Sequence, residues 1–240
     1  MPTSLFVSDL HLHPSRPAVA RCFTAFLAML DRTQALYILG DLFEAWVGDD
    51  HPEPAYQAIK QSLKRCTASG ISVYVMRGNR DFLLGERFAG ETGCTLLDDP
   101  GVIDLCGRRT LLMHGDSLCT DDLEYQTLRK QLRDPQWQQQ VLSLPLQERL
   151  QMADRAREHS TLSGLDKEDY LMDVNQDEVA RMFELHRAEL LIHGHTHRPG
   201  IHRLTVNGRH RQRVVLGDWY EQGSVLKVVD GQPELTALPV

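Results

Sequence analysis

A chain of 240 residues, 42% of them hydrophobic, is long enough to bury a substantial core, and it fits one α/β domain with an insertion. Its formal net charge of −7 argues against a general nucleic-acid binder, which would carry a basic face, and against docking on anionic lipid by charge alone. The longest apolar runs, such as LYIL at 36–39 and LLI at 190–192, are strand-sized and fall far short of the roughly 18 residues that span a bilayer. The opening MPTSLFVSDLH has no basic stretch followed by a long apolar one, so no secretory signal is expected. The five cysteines (Cys22, Cys66, Cys94, Cys106 and Cys119) form no C-x-x-C, and the expectation is buried, reduced thiols in a cytoplasmic protein. The basic stretch from Arg203 to Arg213 reads as a solvated turn.

In chain order, SLFVSDLH (4–11) is a short apolar run ending in polar residues, and ALYILGDLFE (35–44), SVYVMRGNRD (72–81), RTLLMHGD (109–116) and ELLIHGHTH (189–197) repeat that form. Helices separate the early runs. AVARCFTAFLAML (18–30) places Val19, Cys22, Phe23, Phe26, Leu27 and Leu30 on one face, and AYQAIKQSLKRC (55–66) stops near Gly70. RVVLGDW (213–219) and SVLKVV (224–229) read as further strands. Unbroken apolar runs alternating with helices predict an α/β layered sheet covered on both faces. The later strands lack long helices between them, which predicts a second, partly antiparallel sheet. Ligands of such sheets collect at the carboxyl ends of the strands, where all five polar clusters lie.

From about 120 to 186 the pattern changes to helices: EYQTLRKQL, PQWQQQVLSL, LQERLQMADRAREHS and DVNQDEVARMFELHR, punctuated by Pro135 and Pro145. Trp137, Val141 and Leu144 form one apolar stripe, and Leu146, Leu150 and Ala153 another. Insertions at strand ends are where substrate pockets are built, so this block is read as a helical cap.

The chemistry sits in the polar clusters. Asp9 and His11 are two apart, and in an extended segment residues two apart face the same side. Asp41 follows Gly40, which leaves room for close backbone approach. Asn79 offers a neutral amide oxygen, His114 an imidazole, and His195 and His197 are again two apart. Carboxylate, imidazole and carbonyl donors suit divalent metals that activate water. Each pair alone is weak; the ordered set, each member following an apolar run, is strong. His13, His51, His159, His186, His202 and His210 lack that context and are expected at the surface or in packing.

DLH, GDLFE, GNRD, HGD and GHTH, in that order, resemble the signature of the calcineurin-like metallophosphoesterases. The resemblance implies a four-layer α/β/β/α sandwich, here with the helical cap. It implies one ion held by Asp9, His11, Asp41 and His197, and a second by Asp41, Asn79, His114 and His195, with Asp41 bridging. Mn²⁺ is the metal of choice, with Fe or Zn as alternatives. Much of that family has a histidine where Arg80 stands. Arginine is no general acid at neutral pH but grips phosphate bidentately, which favours a substrate with a good leaving group, such as a diphosphate. Asp41, Asn79, Arg80, His114 and His195 are the candidate catalytic residues.

The fuller set, SDLHL, LGDLFEAWVGDD, GNRDFLLG, LMHGDSLCTDD, IHGHTHRP and VLGDW, is similar to the branch of that family acting in lipid A biosynthesis. This implies hydrolysis of UDP-2,3-diacylglucosamine, with attack at the uridine-linked phosphorus and release of UMP and 2,3-diacylglucosamine 1-phosphate. By the same resemblance Asn79, Arg80, Asp122, Ser160, Lys167 and His195 contact the substrate; Tyr125 and Arg157 are weaker candidates, and Gly164 has only backbone to offer. The acyl chains imply peripheral association with the cytoplasmic face of the inner membrane and an apolar chamber in the cap. Two other functions fit the same site: a phosphoesterase acting on a soluble nucleotide, phosphodiester or phosphoprotein, and a non-catalytic scaffold of the same fold. The scaffold would be expected to have lost ligands, and all seven are present.

Overall fold

Successive side chains along the strands point to opposite faces, and because both faces of the central strands are covered this sorts the apolar side chains into layers. The computed structural model describes residues 3–30, 33–166 and 173–239, with the backbone path alone over 158–166. In chain order the elements are β1 (Thr3–Val7), α1 (Pro17–Ala28), β2 (Ala35–Leu39), α2 (Pro54–Ala68), β3 (Ser72–Met76), α3 (Glu86–Thr92), β4 (Thr95–Leu97), β5 (Gly101–Leu105) and β6 (Arg108–Leu112). A short 3-10 turn at Asp116–Leu118 leads to α4 (Leu123–Leu132), α5 (Pro135–Ser143), α6 (Leu146–Asp166) and α7 (Gln176–Leu185). The chain closes with β7 (Leu190–His193), β8 (Gly200–Val206), β9 (Arg209–Val215), β10 (Gln222–Val229) and β11 (Gln232–Pro239).

The first sheet runs β11-β10-β1-β2-β3-β4 and the second β5-β6-β7-β9-β8. In the first, β1 to β4 are parallel and β10 and β11 add antiparallel; in the second, β6, β7 and β9 are parallel between antiparallel edges. Leu5, Val7, Leu36, Ile38, Val73 and Val75 point to α1–α3, while Phe6, Tyr37, Leu39 and Met76 point between the sheets at Leu112, Ile192 and Val214. On the outer face of the second sheet, Leu111, Met113 and Leu191 meet Val179, Met182 and Phe183 of α7. These three apolar layers make the α/β/β/α sandwich. Parallel register sets Phe6, Tyr37 and Tyr74 side by side, and their rings stack at 4.7 and 4.8 Å. Prolines at the first turn of α1, α2 and α5 start those helices where a missing N–H costs nothing.

Two expectations are corrected. Cys66, Cys94 and Cys119 are buried, and burial pushes Cys94 up to about 11 and Cys119 up to about 12. Cys22 is only half-buried, and Cys106 is exposed in the β5–β6 turn. The Arg203–Arg213 stretch is a β-hairpin rather than a solvated turn. Arg213 stands at the buried end of β9, 6% exposed, where its Nη1 lies 3.4 Å from Nε2 of the fully buried His193. On α6, Leu146, Leu150 and Ala153 are only part-buried, and the side chain driven home is Arg149, at 4% exposure. It donates to the Val47 carbonyl at 2.5 Å and to Asp50 Oδ1 at 2.7 Å, beside Gly48, where a Cβ would collide with the guanidinium. The α5 stripe does pack: Val141 and Trp137 join the core under α1–α3, Trp137 against Phe82 at 5.9 Å. Among the described residues no helix is long and apolar enough to cross a membrane.

Candidate metal centre

Strands β1, β2, β3, β6 and β7 all deliver their carboxyl ends to one place, and the loop after each carries one or two of the seven predicted ligands. The loops after β1 and β2 continue side by side: Asp9 N–H donates to Gly40 O at 3.1 Å and His11 N–H to Asp41 O at 2.9 Å. The D-x-H geometry is not the extended one expected. Asp9 and His11 have φ of 55° and 48°, Asp41 has 53°, and His195 and His197 have 69° and 54°. Among the described residues nine non-glycine residues have positive φ, and five of them belong to this cluster. Left-handed backbone is costly for such side chains and persists only where the surroundings over-determine it, as at functional sites.

The side chains converge. Asp41 Oδ2 lies 3.8 Å from both His11 Nε2 and His114 Nε2. Asn79 Oδ1 is 2.8 Å from His114 Nε2 and 3.0 Å from His195 Nδ1. His197 Nε2 is 3.5 Å from Asp9 Oδ1. Ligand atoms of Asp9, His11 and His197 lie within 4.8 Å of one another, as do those of Asp9, Asp41 and His114. Asp9 Oδ1 and His11 Nε2 are buried without a hydrogen-bond partner among the described residues. Two buried carboxylates facing four imidazoles and an amide oxygen form a nitrogen and oxygen donor set that fits divalent metal ions. Gly40, Gly78 and Gly194 make the close approach feasible, since a Cβ on them would strike His114, Asp41 and Asp9 respectively.

Electrostatics point the same way. Burial works against an ionised Asp9, but contact with His197 and the His114 and His11 charges outweigh it and hold the carboxyl below its usual range. Burial would lower His114, yet the carboxylates of Asp41, Asp116 and Asp9 raise it to about 9. Burial and the His114 charge push His195 down to about 4. The pocket thus draws one cation to itself and keeps a second imidazole neutral, ready to act as a ligand.

Sequence reasoning missed the residues that hold these ligands in place. Glu44 Oε2 lies 2.9 Å from His11 Nδ1, Asp218 Oδ2 lies 3.4 Å from His197 Nδ1, and Leu39 O lies 2.9 Å from His114 Nδ1. Such partners fix ring orientation and tautomer in metal sites. Asp81, fully buried, accepts backbone N–H groups from Gly78 at 2.7 Å and Leu42 at 2.8 Å, and from Asp41 and Phe43 at 3.3 Å each. Two tyrosines flank the cluster: Tyr125 stacks on His195 at 5.8 Å, and Tyr220 on His11 at 5.3 Å. Glu44 and Asp81 stood in the GDLFE and GNRD motifs, so their signal was available; that of Tyr220 was not. Of the remaining candidates, Arg80 lies at the rim, its N–H donating to Asp41 Oδ1 at 2.8 Å and its Nη1 3.9 Å from Glu44 Oε1. Asp122 caps α4, accepting from Tyr125 N–H at 3.0 Å. Arg157 Nη1 lies 3.3 Å from His13 Nε2. Lys167 and the Ser160 side chain lie outside the described residues.

Residues 2–199 match the family model described as calcineurin-like phosphoesterase, and the chain belongs to that family. It is 52% identical over 244 residues to a UDP-2,3-diacylglucosamine hydrolase of Stenotrophomonas maltophilia strain K279a, covering 98% of each chain. It is 48% identical over 238 residues to the enzyme of that name from Salmonella typhi, covering 99% of each. Among solved structures, an archaeal phosphodiesterase aligns over 98% of this chain and 99% of its own, with TM-score 0.50 and 11% identity, a likeness of fold alone.

Proposed function

We propose that this chain hydrolyses the diphosphate bond of UDP-2,3-diacylglucosamine, giving UMP and 2,3-diacylglucosamine 1-phosphate in lipid A biosynthesis. One observation carries the reading. Seven metal-type donors converge at five strand ends in a chain about half identical, over nearly its full length, to curated hydrolases of that name. Asp9, His11, Asp41 and His197 would hold one divalent ion, and Asp41, Asn79, His114 and His195 the other. When bound, such a pair lowers the pKa of water to near neutrality and neutralises phosphate charge.

The chain's own residues then orient and grip. Asp41 stands between the two half-sites, with its backbone anchored by Asp81 and its Oδ1 by the Arg80 N–H. The Arg80 guanidinium sits beside the ligands with nothing to donate as an acid at neutral pH. It fits a role in holding phosphate oxygens, with a sugar phosphate leaving unaided by a side-chain proton. Asn79 Oδ1 lies 3.0 Å from His195 Nδ1, and both are proposed to contact the same phosphate group. Asp122, Ser160 and Lys167 are the proposed contacts to the rest of the substrate. Mn²⁺ is the proposed metal. Leu123, Leu128 and Leu142 of the helical block are exposed, at 75%, 48% and 44%, which supports contact with acyl chains or a cytoplasmic membrane face.

The test is a turnover assay on UDP-2,3-diacylglucosamine with and without added Mn²⁺, beside a dinucleoside polyphosphate and a simple phosphodiester. Mn²⁺-dependent UMP release, lost in Asp41→Ala, is the expected outcome. Turnover of the soluble substrates in preference to the lipid would overturn the substrate assignment, and unchanged turnover by Asp41→Ala would overturn the mechanism.

A further inference from the structure

Helix α4 buries no apolar side chain, yet it stands directly against the metal cluster. Its inward residues are Tyr125, Gln126, Arg129 and Arg133, spaced to share one side of the helix. Their polar groups reach the backbone and carboxylates of the ligand loops. Gln126 Nε2 donates to Asp116 O at 2.8 Å and Cys119 O at 3.0 Å, and Arg133 Nη2 donates to Arg77 O and Gly78 O at 3.1 Å each. Arg129 touches two buried carboxylates. Its Nε donates to Asp116 Oδ2 at 2.9 Å and its Nη2 to Asp99 Oδ2 at 3.3 Å. Asp99 Oδ1 in turn accepts the His114 N–H at 3.3 Å. The Tyr125 hydroxyl donates to the same Asp116 Oδ2 at 3.0 Å, while its ring lies on His195.

We propose that Arg129 is a positioning residue for the metal centre: by bridging Asp116 and Asp99 it holds Tyr125 against His195 and steadies the segment that carries His114. The proposal rests on the seven-residue cluster being a metal centre. The two ligands it supports, His114 and His195, share the half-site completed by Asn79 and Asp41, so its influence falls on one ion of the pair. Without the Arg129 guanidinium, Asp116 and Asp99 would keep only Arg133 beside them, its Nη2 3.8 Å from Asp116 Oδ2, and the bridge that fixes the tyrosine's acceptor would be lost. Arginine suits the task because its planar fork reaches both acceptors at once, and lysine would satisfy only one of them well.

The experiment titrates Mn²⁺ into metal-free parent, Arg129→Met, Arg129→Lys and Tyr125→Phe proteins by calorimetry, with kcat, KM and thermal unfolding measured alongside. The parent is expected to bind two ions. Arg129→Met should bind one of them about 10- to 100-fold more weakly, the range typical for partners of metal ligands, with kcat reduced and KM little changed. Arg129→Lys should recover part of the loss, and Tyr125→Phe, which keeps the ring but not the hydroxyl, should fall between. A parent that binds fewer than two ions overturns the metal reading and the proposal with it. A parent that binds two, with both affinities intact in Arg129→Met or the defect confined to KM, overturns the proposal alone. If Arg129→Met does not fold, unchanged ion affinities in Tyr125→Phe overturn it equally.

Discussion

Gly78→Ala should disable the enzyme without unfolding it. Gly78 precedes Asn79, and a Cβ added there would strike the amide nitrogen and Oδ1 of Asp41 and lie 2.8 Å from its Cγ. Contacts between non-bonded carbons are ordinarily about 3.5–4.0 Å, so the two segments must part by about 1 Å. Asp41 cannot simply turn aside. Its N–H is held by Asp81 Oδ1 at 3.3 Å and its Oδ1 by the Arg80 N–H at 2.8 Å. The displacement therefore passes to the carboxylate that lies 3.8 Å from both His11 and His114. A misplacement of about 1 Å in a catalytic constellation costs on the order of 100-fold in rate, or about 2.7 kcal/mol of barrier. The measurement is steady-state UMP release at saturating Mn²⁺, paired with thermal melts. Gly90→Ala serves as the control: Gly90 lies in α3 with nothing within 4 Å of an added Cβ, so alanine should stabilise by up to about 1 kcal/mol and leave kcat alone. A Gly78→Ala enzyme within about threefold of the parent, a barrier change below about 0.65 kcal/mol, would refute the reasoning.

Asp81→Asn should destabilise in urea unfolding, because the amide's NH₂ would face two of the four backbone N–H groups and leave them unpaired at about 1–3 kcal/mol each. The loss is offset in part, because burial and the nearby Asp41 charge push the Asp81 carboxyl up to about 6 and already work against its ionised form. Loading metal-free protein with Mn²⁺ at pH 7 should release a proton from His114, whose pKa of about 9 keeps it protonated until the metal displaces it. Calorimetry in buffers of different ionisation enthalpy reads that proton, and affinity should rise as pH approaches 9; a heat independent of buffer speaks against it. Hydrogen bonds from Lys60 and Arg87 hold Glu91 below its ordinary value of 4.5, so its ionised form favours folding at pH above 4.5 and that stability is lost as the pH falls through the lower folded value. Glu91→Gln should accordingly melt earlier than the parent at neutral pH, with the gap closing in acid; a gap that persists there would show that the ion pair is not its source.

The donor residues were readable from the chain because a ligand's chemistry belongs to its own side chain and its place to a local pattern. Asp9, Asp41, Asn79, His114 and His195 each follow an apolar run, and parallel strands deliver their carboxyl ends to a common edge. The alternating strands and helices followed from local periodicity, and a second, partly antiparallel sheet from the lack of long helices between the later strands. The left-handed backbone at Asp9, His11, Asp41, His195 and His197 did not, since the neighbouring loops and not the residue's own preference hold it. Nor did the burial of charge. Arg149 meets Asp50 across 99 residues of sequence and Arg129 meets Asp99 across 30, and nothing next to either arginine distinguishes it from a solvated helix face. Helix α4 shows the division most plainly. Its residues prescribe a helix, but only the folded chain reveals that its polar side is the one turned inward, because that side faces carboxylates and carbonyls brought there by distant segments.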